Sequence, residues 1–113
     1  MIVVFRSRVR PDADLAALET MGARMYELGS AMPGFVEYKD FAAEDGETLT
    51  LVAFETEGQL LAWCNHPEHQ EVQARARAEF FGEYAITVSE VRRAYHFTQA
   101  EGRVETLGAS SPG

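Results

Sequence analysis

The chain lacks the features that mark several common classes of protein. Among its 113 residues there is one cysteine, Cys64, so no disulfide can form within the chain, and a reducing, cytoplasmic setting is expected. No apolar run approaches the roughly 18 residues that a membrane-spanning helix needs. Basic residues are outnumbered, 10 against 18 acidic ones, and the net charge of -8 argues against nucleic acid or an anionic membrane surface as a partner.

Motifs that would announce a cofactor are also missing. The sequence contains no GxGxxG, no phosphate-binding P-loop and no CxxC, so we expect no cofactor. The histidines of HPEH, His66 and His69, are three residues apart rather than in the HExxH spacing that places two histidines on one helical face. We therefore predict no metal site, and interpret NHPEH first as the beginning of a helix, with Pro67 in its first turn.

The apolar pattern predicts a single α+β domain of order β-α-β-β-α-β, which is the ferredoxin-like sandwich. Helical spacing of three and four residues begins at Leu15, and the Asp45-Gly46 pair predicts a hairpin turn. The predicted strands are 2–9, 35–42, 48–56 and 84–97, and the predicted helical segments are 15–32, 57–63 and 67–81. The domain then covers residues 1–97, and the polar residues 98–113 are expected to form a flexible tail.

The first and third strands are apolar on both faces, as in Ile2–Phe5 and Leu51–Phe54, which predicts that they lie at the centre of the sheet. Two helices cover only one face of a sheet, so we expect the other face to pack on a second copy in a homodimer. The apolar residues of the fourth strand change parity near Ser89-Glu90. This change predicts a bend or bulge, after which the strand could reach a partner.

An ordered set of short motifs resembles the antibiotic biosynthesis monooxygenase family of dimeric α+β barrels. The motifs are MPGF at 32–35, AEDGE at 43–47, WxxHPEHxxxQ at 63–73, RxxFFxxY at 77–84 and ITVSEV at 86–91. The resemblance implies a small cofactor-independent monooxygenase that oxidises an aromatic polyketide or a quinol-type substrate. The alternative is a non-catalytic small-molecule-binding or stress-associated dimer of the same fold.

The better-known branches of this family carry characteristic residues, which can be compared with the corresponding positions of this sequence. Haem-degrading members carry Asn, Trp and His where this chain has Ser7, Trp63 and Gln73, so only the Trp matches. Polyketide oxygenases carry Asn and Trp on the third strand, where this chain has Thr50 and Phe54. Haem degradation is therefore the less expected activity.

Candidate site residues follow from the chemistry that an oxygenase without a cofactor requires. A base must remove a proton from the substrate, donors must hold the resulting anion, and the pocket must be dry. The candidates for catalysis are Trp63, His66, His69 and Arg77, and those for the substrate pocket are Phe5, Ser7, Tyr38, Phe54, Phe80 and Tyr84. Plain core packing for the Phe residues and surface ion pairing for the arginines are the alternatives. A closed cavity would favour the enzyme, and a space filled by Trp63 would favour the binding protein.

Overall fold

A computed structural model describes residues 1–107, which form six strands and three helices. In chain order the elements are β1 (Ile2–Val9), α1 (Leu15–Ser30), β2 (Phe35–Ala42), β3 (Thr48–Phe54), α2 (Glu57–Cys64), α3 (Pro67–Glu79), β4 (Phe81–Ser89), β5 (Ala94–Thr98) and β6 (Gly102–Leu107). None of the described helices is both long and apolar enough to cross a membrane.

The first four strands make one antiparallel sheet in the order β2-β3-β1-β4. The two strands that are apolar on both faces therefore lie at the centre, as predicted, and the fold is the ferredoxin-like α+β sandwich. Val3 pairs with Val52 on β3 and with Val88 on β4, so these three side chains share one face of the sheet.

Each helix begins at a side chain that accepts a hydrogen bond from a free backbone N–H of the first turn. Asp14 accepts from Ala17, and Thr56 accepts from Gln59. At α3 the imidazole Nδ1 of His66 accepts from the N–H of Glu68 at 3.1 Å, with Pro67 as the first helical residue. The interpretation of NHPEH as a helix beginning is confirmed.

The helices bury one face of the sheet in two apolar clusters. The first cluster joins Val3, Val52 and Phe54 of the sheet to Leu60 and Trp63 of α2. The second cluster lies nearer the end of α3 and contains Met21, Ala76 and Phe80.

No helix among residues 1–107 packs on the opposite face of the sheet. On this bare face Ile2, Val4 and Leu51 are half-buried, and Phe41 is 46% exposed. Ion pairs of Arg6 with Glu47 and of Arg8 with Asp45 and Glu83 lie at one end of the sheet.

The C-terminal region differs from the prediction. The predicted fourth strand is two strands, because β4 ends at Ser89, and the chain resumes as β5 only at Ala94. The tail predicted from residue 98 does not begin there, since β6 pairs antiparallel with β5 through Tyr95–Glu105 and Phe97–Arg103. The positive φ of Gly102 closes this hairpin. Residues 108–113 of the predicted tail lie outside the described residues.

Candidate functional site

Trp63 and His69 lie together beneath the helices, although they belong to different helices. Trp63 is in the last turn of α2 and His69 in the first turn of α3, and the turn at Asn65-His66 brings them together. Their ring centroids are 4.4 Å apart in an edge-on arrangement, and the two residues are only 5% and 6% exposed. The sequence predicted both residues for the site, and the fold places them side by side.

Both rings carry a buried nitrogen without a hydrogen-bond partner in residues 1–107: Nε1 of Trp63 and Nδ1 of His69. A buried polar atom without a partner costs free energy, so such atoms often mark a place where a ligand or water binds. Burial, and secondarily the charge of His66, lowers the pKa of His69 below its usual 6.5. The imidazole is therefore neutral near pH 7, the form that accepts a proton.

Aromatic side chains from the sheet surround the indole. The ring centroids of Phe54 and Tyr38 lie 5.7 and 6.3 Å from that of Trp63. Burial, with a smaller effect of Asp40, raises the pKa of Tyr38 to about 12, so its hydroxyl keeps its proton.

Gly29 is a site residue that the sequence interpretation missed. It is buried in α1 directly against the indole, and a Cβ at this position would lie 3.1 Å from Nε1 of Trp63. A glycine inside an amphipathic helix is itself a signal, because it costs about 1 kcal/mol relative to alanine and needs a compensating reason. Here the reason is the close approach of the Trp63 ring.

Trp63 occupies the space between the helices and the sheet. Two clefts in the described part of the chain measure about 290 and 210 Å³, and neither reaches Trp63 or His69. The larger is lined by Met1, Glu55, Thr56, Glu57, Glu90, Val91 and Leu107, and the smaller by Arg6, Ser7, Glu47, Glu83, Tyr84 and Ala85. A ligand of Trp63 and His69 therefore requires the indole to move.

The remaining predicted residues lie elsewhere. The ring centroids of Phe5 and Tyr84 are 5.3 Å apart, and Ser7 is buried on β1 opposite Tyr84. The Nη1 of Arg77 donates a hydrogen bond to the Tyr84 hydroxyl at 3.2 Å. Phe80 belongs to the second apolar cluster. The Nδ1 of His66 is engaged as the helix cap. The ten predicted residues thus divide between the Trp63–His69 pair with Tyr38 and Phe54, a Phe5–Tyr84–Arg77 group, and structural positions.

No three His, Cys, Asp or Glu side chains within residues 1–107 converge to hold a metal ion. Cys64, beside Trp63, is half-buried, and burial raises the pKa of its thiol.

Comparisons with known proteins agree with this architecture. The family model for antibiotic biosynthesis monooxygenases matches residues 1–75. An uncharacterised protein, YqjZ of Bacillus subtilis, is 30% identical over 91 residues, which cover 80% of this chain and 78% of YqjZ.

Solved structures show the same fold at lower identity. Rv0793 from Mycobacterium tuberculosis superposes with a TM-score of 0.69 at 22% identity, covering 80% of this chain and 93% of that one. SnoaB from Streptomyces nogalater, described as a cofactor-independent oxygenase, superposes with a TM-score of 0.63 at 17% identity, covering 80% and 92%.

Proposed function

Because this chain belongs to the antibiotic biosynthesis monooxygenase family, we propose that it is a monooxygenase that oxidises a phenolic or quinol-type aromatic molecule without a bound cofactor. The observation that supports this proposal most is the Trp63–His69 pair. The Trp63 and His69 rings pack edge-on among aromatic side chains, and each ring keeps one buried nitrogen, Nε1 of Trp63 and Nδ1 of His69, without a hydrogen-bond partner in residues 1–107. SnoaB, which has this fold, is described as a cofactor-independent oxygenase.

The reaction requires no external reductant, since oxidation of a CH₂ group of the substrate to a carbonyl supplies all four electrons that reduce O₂. In an anthrone, for example, a base removes one proton from the central CH₂ group, and the carbanion transfers an electron to oxygen. The CH₂ carbon then loses its two hydrogens and gains one oxygen atom as a carbonyl, while the second oxygen atom leaves as water. Anthrone and oxygen thus yield anthraquinone and water, and the atoms and electrons balance.

In this proposal His69 is the base, and the Trp63 N–H donates to the oxygen on which negative charge develops. An imidazole whose pKa is lowered is in its basic form at neutral pH. The aromatic side chains around the pair exclude water, which strengthens the interaction between the N–H donor and the anion. The substrate enters only when the indole turns away from Gly29, so substrate binding and displacement of the Trp63 ring occur together.

Oxygen uptake with a model anthrone tests these roles. We expect His69→Gln to lower turnover by about 10²-fold or more, the usual range for loss of a general base. Trp63→Phe keeps an aromatic ring, although a smaller one, and removes the N–H donor, so it lowers turnover by about tenfold or more. The matched control is His96→Gln, which removes an exposed histidine from β5. Equal turnover by all four proteins would contradict the assignment of the base and the donor.

The filled space beneath the helices favours a second candidate, a non-catalytic protein of the same fold that binds a small aromatic molecule. In that case Trp63 fluorescence changes on addition of the anthrone under nitrogen, and no oxygen is consumed in air. The absence of both signals would reject both candidates.

We also propose that the protein is a homodimer that packs its bare sheet faces together. The support is a row of half-buried apolar side chains, Ile2, Val4 and Leu51 among them, on a sheet face that no helix of residues 1–107 covers, in a chain of 12.6 kDa. Closed two-fold dimers are the commonest way to cover such a face.

A further inference from the structure

Most of the buried polar side-chain atoms that lack a partner lie in one part of the molecule. Within residues 1–107 there are four such atoms, and three of them belong to α2 and the first turn of α3: Oε1 of Gln59, Nε1 of Trp63 and Nδ1 of His69. Gln59 and Trp63 are four residues apart and therefore share one face of α2. Folded proteins pair nearly all such atoms, so three together indicate packing that serves something other than stability.

Both α2 side chains lie against glycines of the segment 29–34. A Cβ at Gly34 would collide with the Gln59 amide, and a Cβ at Gly29 would lie 3.1 Å from Nε1 of Trp63. The positive φ of Gly34, 82°, is itself a reason for glycine there. Gly29 lies inside α1, where glycine is unfavourable relative to alanine, and its contact with the indole is the feature that accounts for it.

The Trp63 indole fills a flat slot between the helices and the sheet. The Phe54 ring lies on it at a centroid distance of 5.7 Å with 35° between the planes, and Gly29 closes another side. Leu60, only 1% exposed, anchors α2 in the first apolar cluster, so the indole can leave by rotation of its own side chain. That rotation breaks no hydrogen bond of Nε1, and it lets this nitrogen donate to water.

We propose that Trp63 occupies its own ligand slot in the free protein, and that Gly29 sets the affinity for the ligand because it gives the indole room to close. A molecule that replaces the indole there is a flat, fused aromatic ring system with a polar group on its edge. The closed indole competes with this ligand, so the apparent Kd equals the intrinsic Kd divided by the open fraction. Gly29 is a positioning residue, since it acts through Trp63. The inference deepens the proposed function and rests on it for the location of the ligand.

The fluorescence of Trp63 tests the role of Gly29 in the free protein. Trp63 is the only tryptophan of the chain, so the emission reports this indole alone. We expect Gly29→Ala to shift the emission to longer wavelength and to increase its quenching by acrylamide. The matched control is Gly22→Ala in the same helix, where a Cβ meets no atom within 4 Å, and it should keep the wild-type emission.

Binding of 2-naphthol under nitrogen, measured by isothermal titration calorimetry, tests the effect on affinity. Gly29→Ala should bind 2-naphthol about fivefold more tightly than the wild type, because fewer molecules are closed, and Gly22→Ala should not differ. Trp63→Ala should also bind it more tightly, and adding Gly29→Ala to that variant should change the Kd by less than about twofold, since no indole remains to be displaced. Decahydro-2-naphthol, which is not flat, should bind about fivefold more weakly.

The outcomes separate this inference from the proposed function. Wild-type emission and affinity in Gly29→Ala, or an equal gain in the Trp63→Ala background, would overturn the role of Gly29. Far-UV circular dichroism verifies folding, and if Gly29→Ala is unfolded, Trp63→Ala decides alone: binding no tighter than in the wild type would overturn the competition. Equal affinity for both naphthols would overturn the ligand class. None of these measurements requires oxygen, so the oxygenase proposal is judged separately by oxygen uptake.

Discussion

At the scale of single residues, His69 combines burial with the capacity to titrate near neutral pH. The residue is 6% exposed, and burial lowers its pKa from the 6.5 expected in the unfolded chain. The unfolded state therefore binds a proton more readily than the folded state. Above about pH 6.5 His69 is neutral in both states, and its burial then has no electrostatic cost. As the pH falls through the folded pKa, the unfolded state gains its proton first, and the free energy of unfolding decreases.

This linkage predicts a pH-dependent free energy of unfolding. Urea unfolding of the wild type should show a fall in this free energy between about pH 7.5 and pH 5.5, and His69→Gln should reduce the slope. His96→Gln, the control at an exposed position, should keep the wild-type slope. A His69→Gln variant with the full wild-type slope would show that other groups carry the dependence.

The sequence alone did not show which of the predicted site residues would lie in contact in the folded chain. The sequence places His66, His69 and Trp63 close together along the chain, and NHPEH correctly predicts the beginning of a helix. Helices α2 and α3 are rotated so that Trp63 and His69 face inward and Arg77 faces Tyr84. This orientation depends on how both helices pack on the sheet. Gly29 became a site residue only through that packing.

At the scale of elements, Arg10 links the end of β1 to the end of α3. Its guanidinium donates to the carbonyls of Arg77, Ala78 and Phe81 at 2.8, 2.9 and 3.0 Å. Its backbone N–H also donates to the Phe80 carbonyl at 2.7 Å. The carbonyls of Arg77, Ala78 and Phe80 lie at the C-terminus of α3, where a helix leaves carbonyls unpaired and its dipole favours a cation.

We therefore expect Arg10→Met to lower the free energy of unfolding by roughly 1–3 kcal/mol, because three hydrogen bonds from a charged group are lost while the apolar stem is kept. The control is Arg75→Met, which removes an exposed ion pair with Glu79 and should change stability by less than about 0.5 kcal/mol. Chemical denaturation of both variants measures the difference. Equal effects would mean that the Arg10 contacts add nothing to an ordinary surface arginine.

Most elements were predictable from local patterns. β1 and β2 have the predicted bounds, α3 begins at Pro67 as predicted, and the change of parity at Ser89-Glu90 marks the end of β4. The β5–β6 hairpin was missed because Gly102–Leu107 is largely polar and has no core of its own, so its composition resembles that of a tail.

At the scale of the whole molecule, the protein combines its family's fold with a buried Trp63–His69 pair and with a bare sheet face that the proposed dimer would cover. The family and the fold follow from the sequence match and the superpositions. The identity of the proposed substrate does not follow from them, because the Trp63 indole fills the space between the helices and the sheet that the substrate would occupy.

The most direct test of the central claim is mass spectrometry of the product formed from an anthrone under ¹⁸O₂. We predict one ¹⁸O atom in each quinone molecule, the other in water, and a rate of labelling that falls with His69→Gln but not with His96→Gln. A product without ¹⁸O, or labelling no faster than in the absence of protein, would contradict the assignment of this chain as an oxygenase.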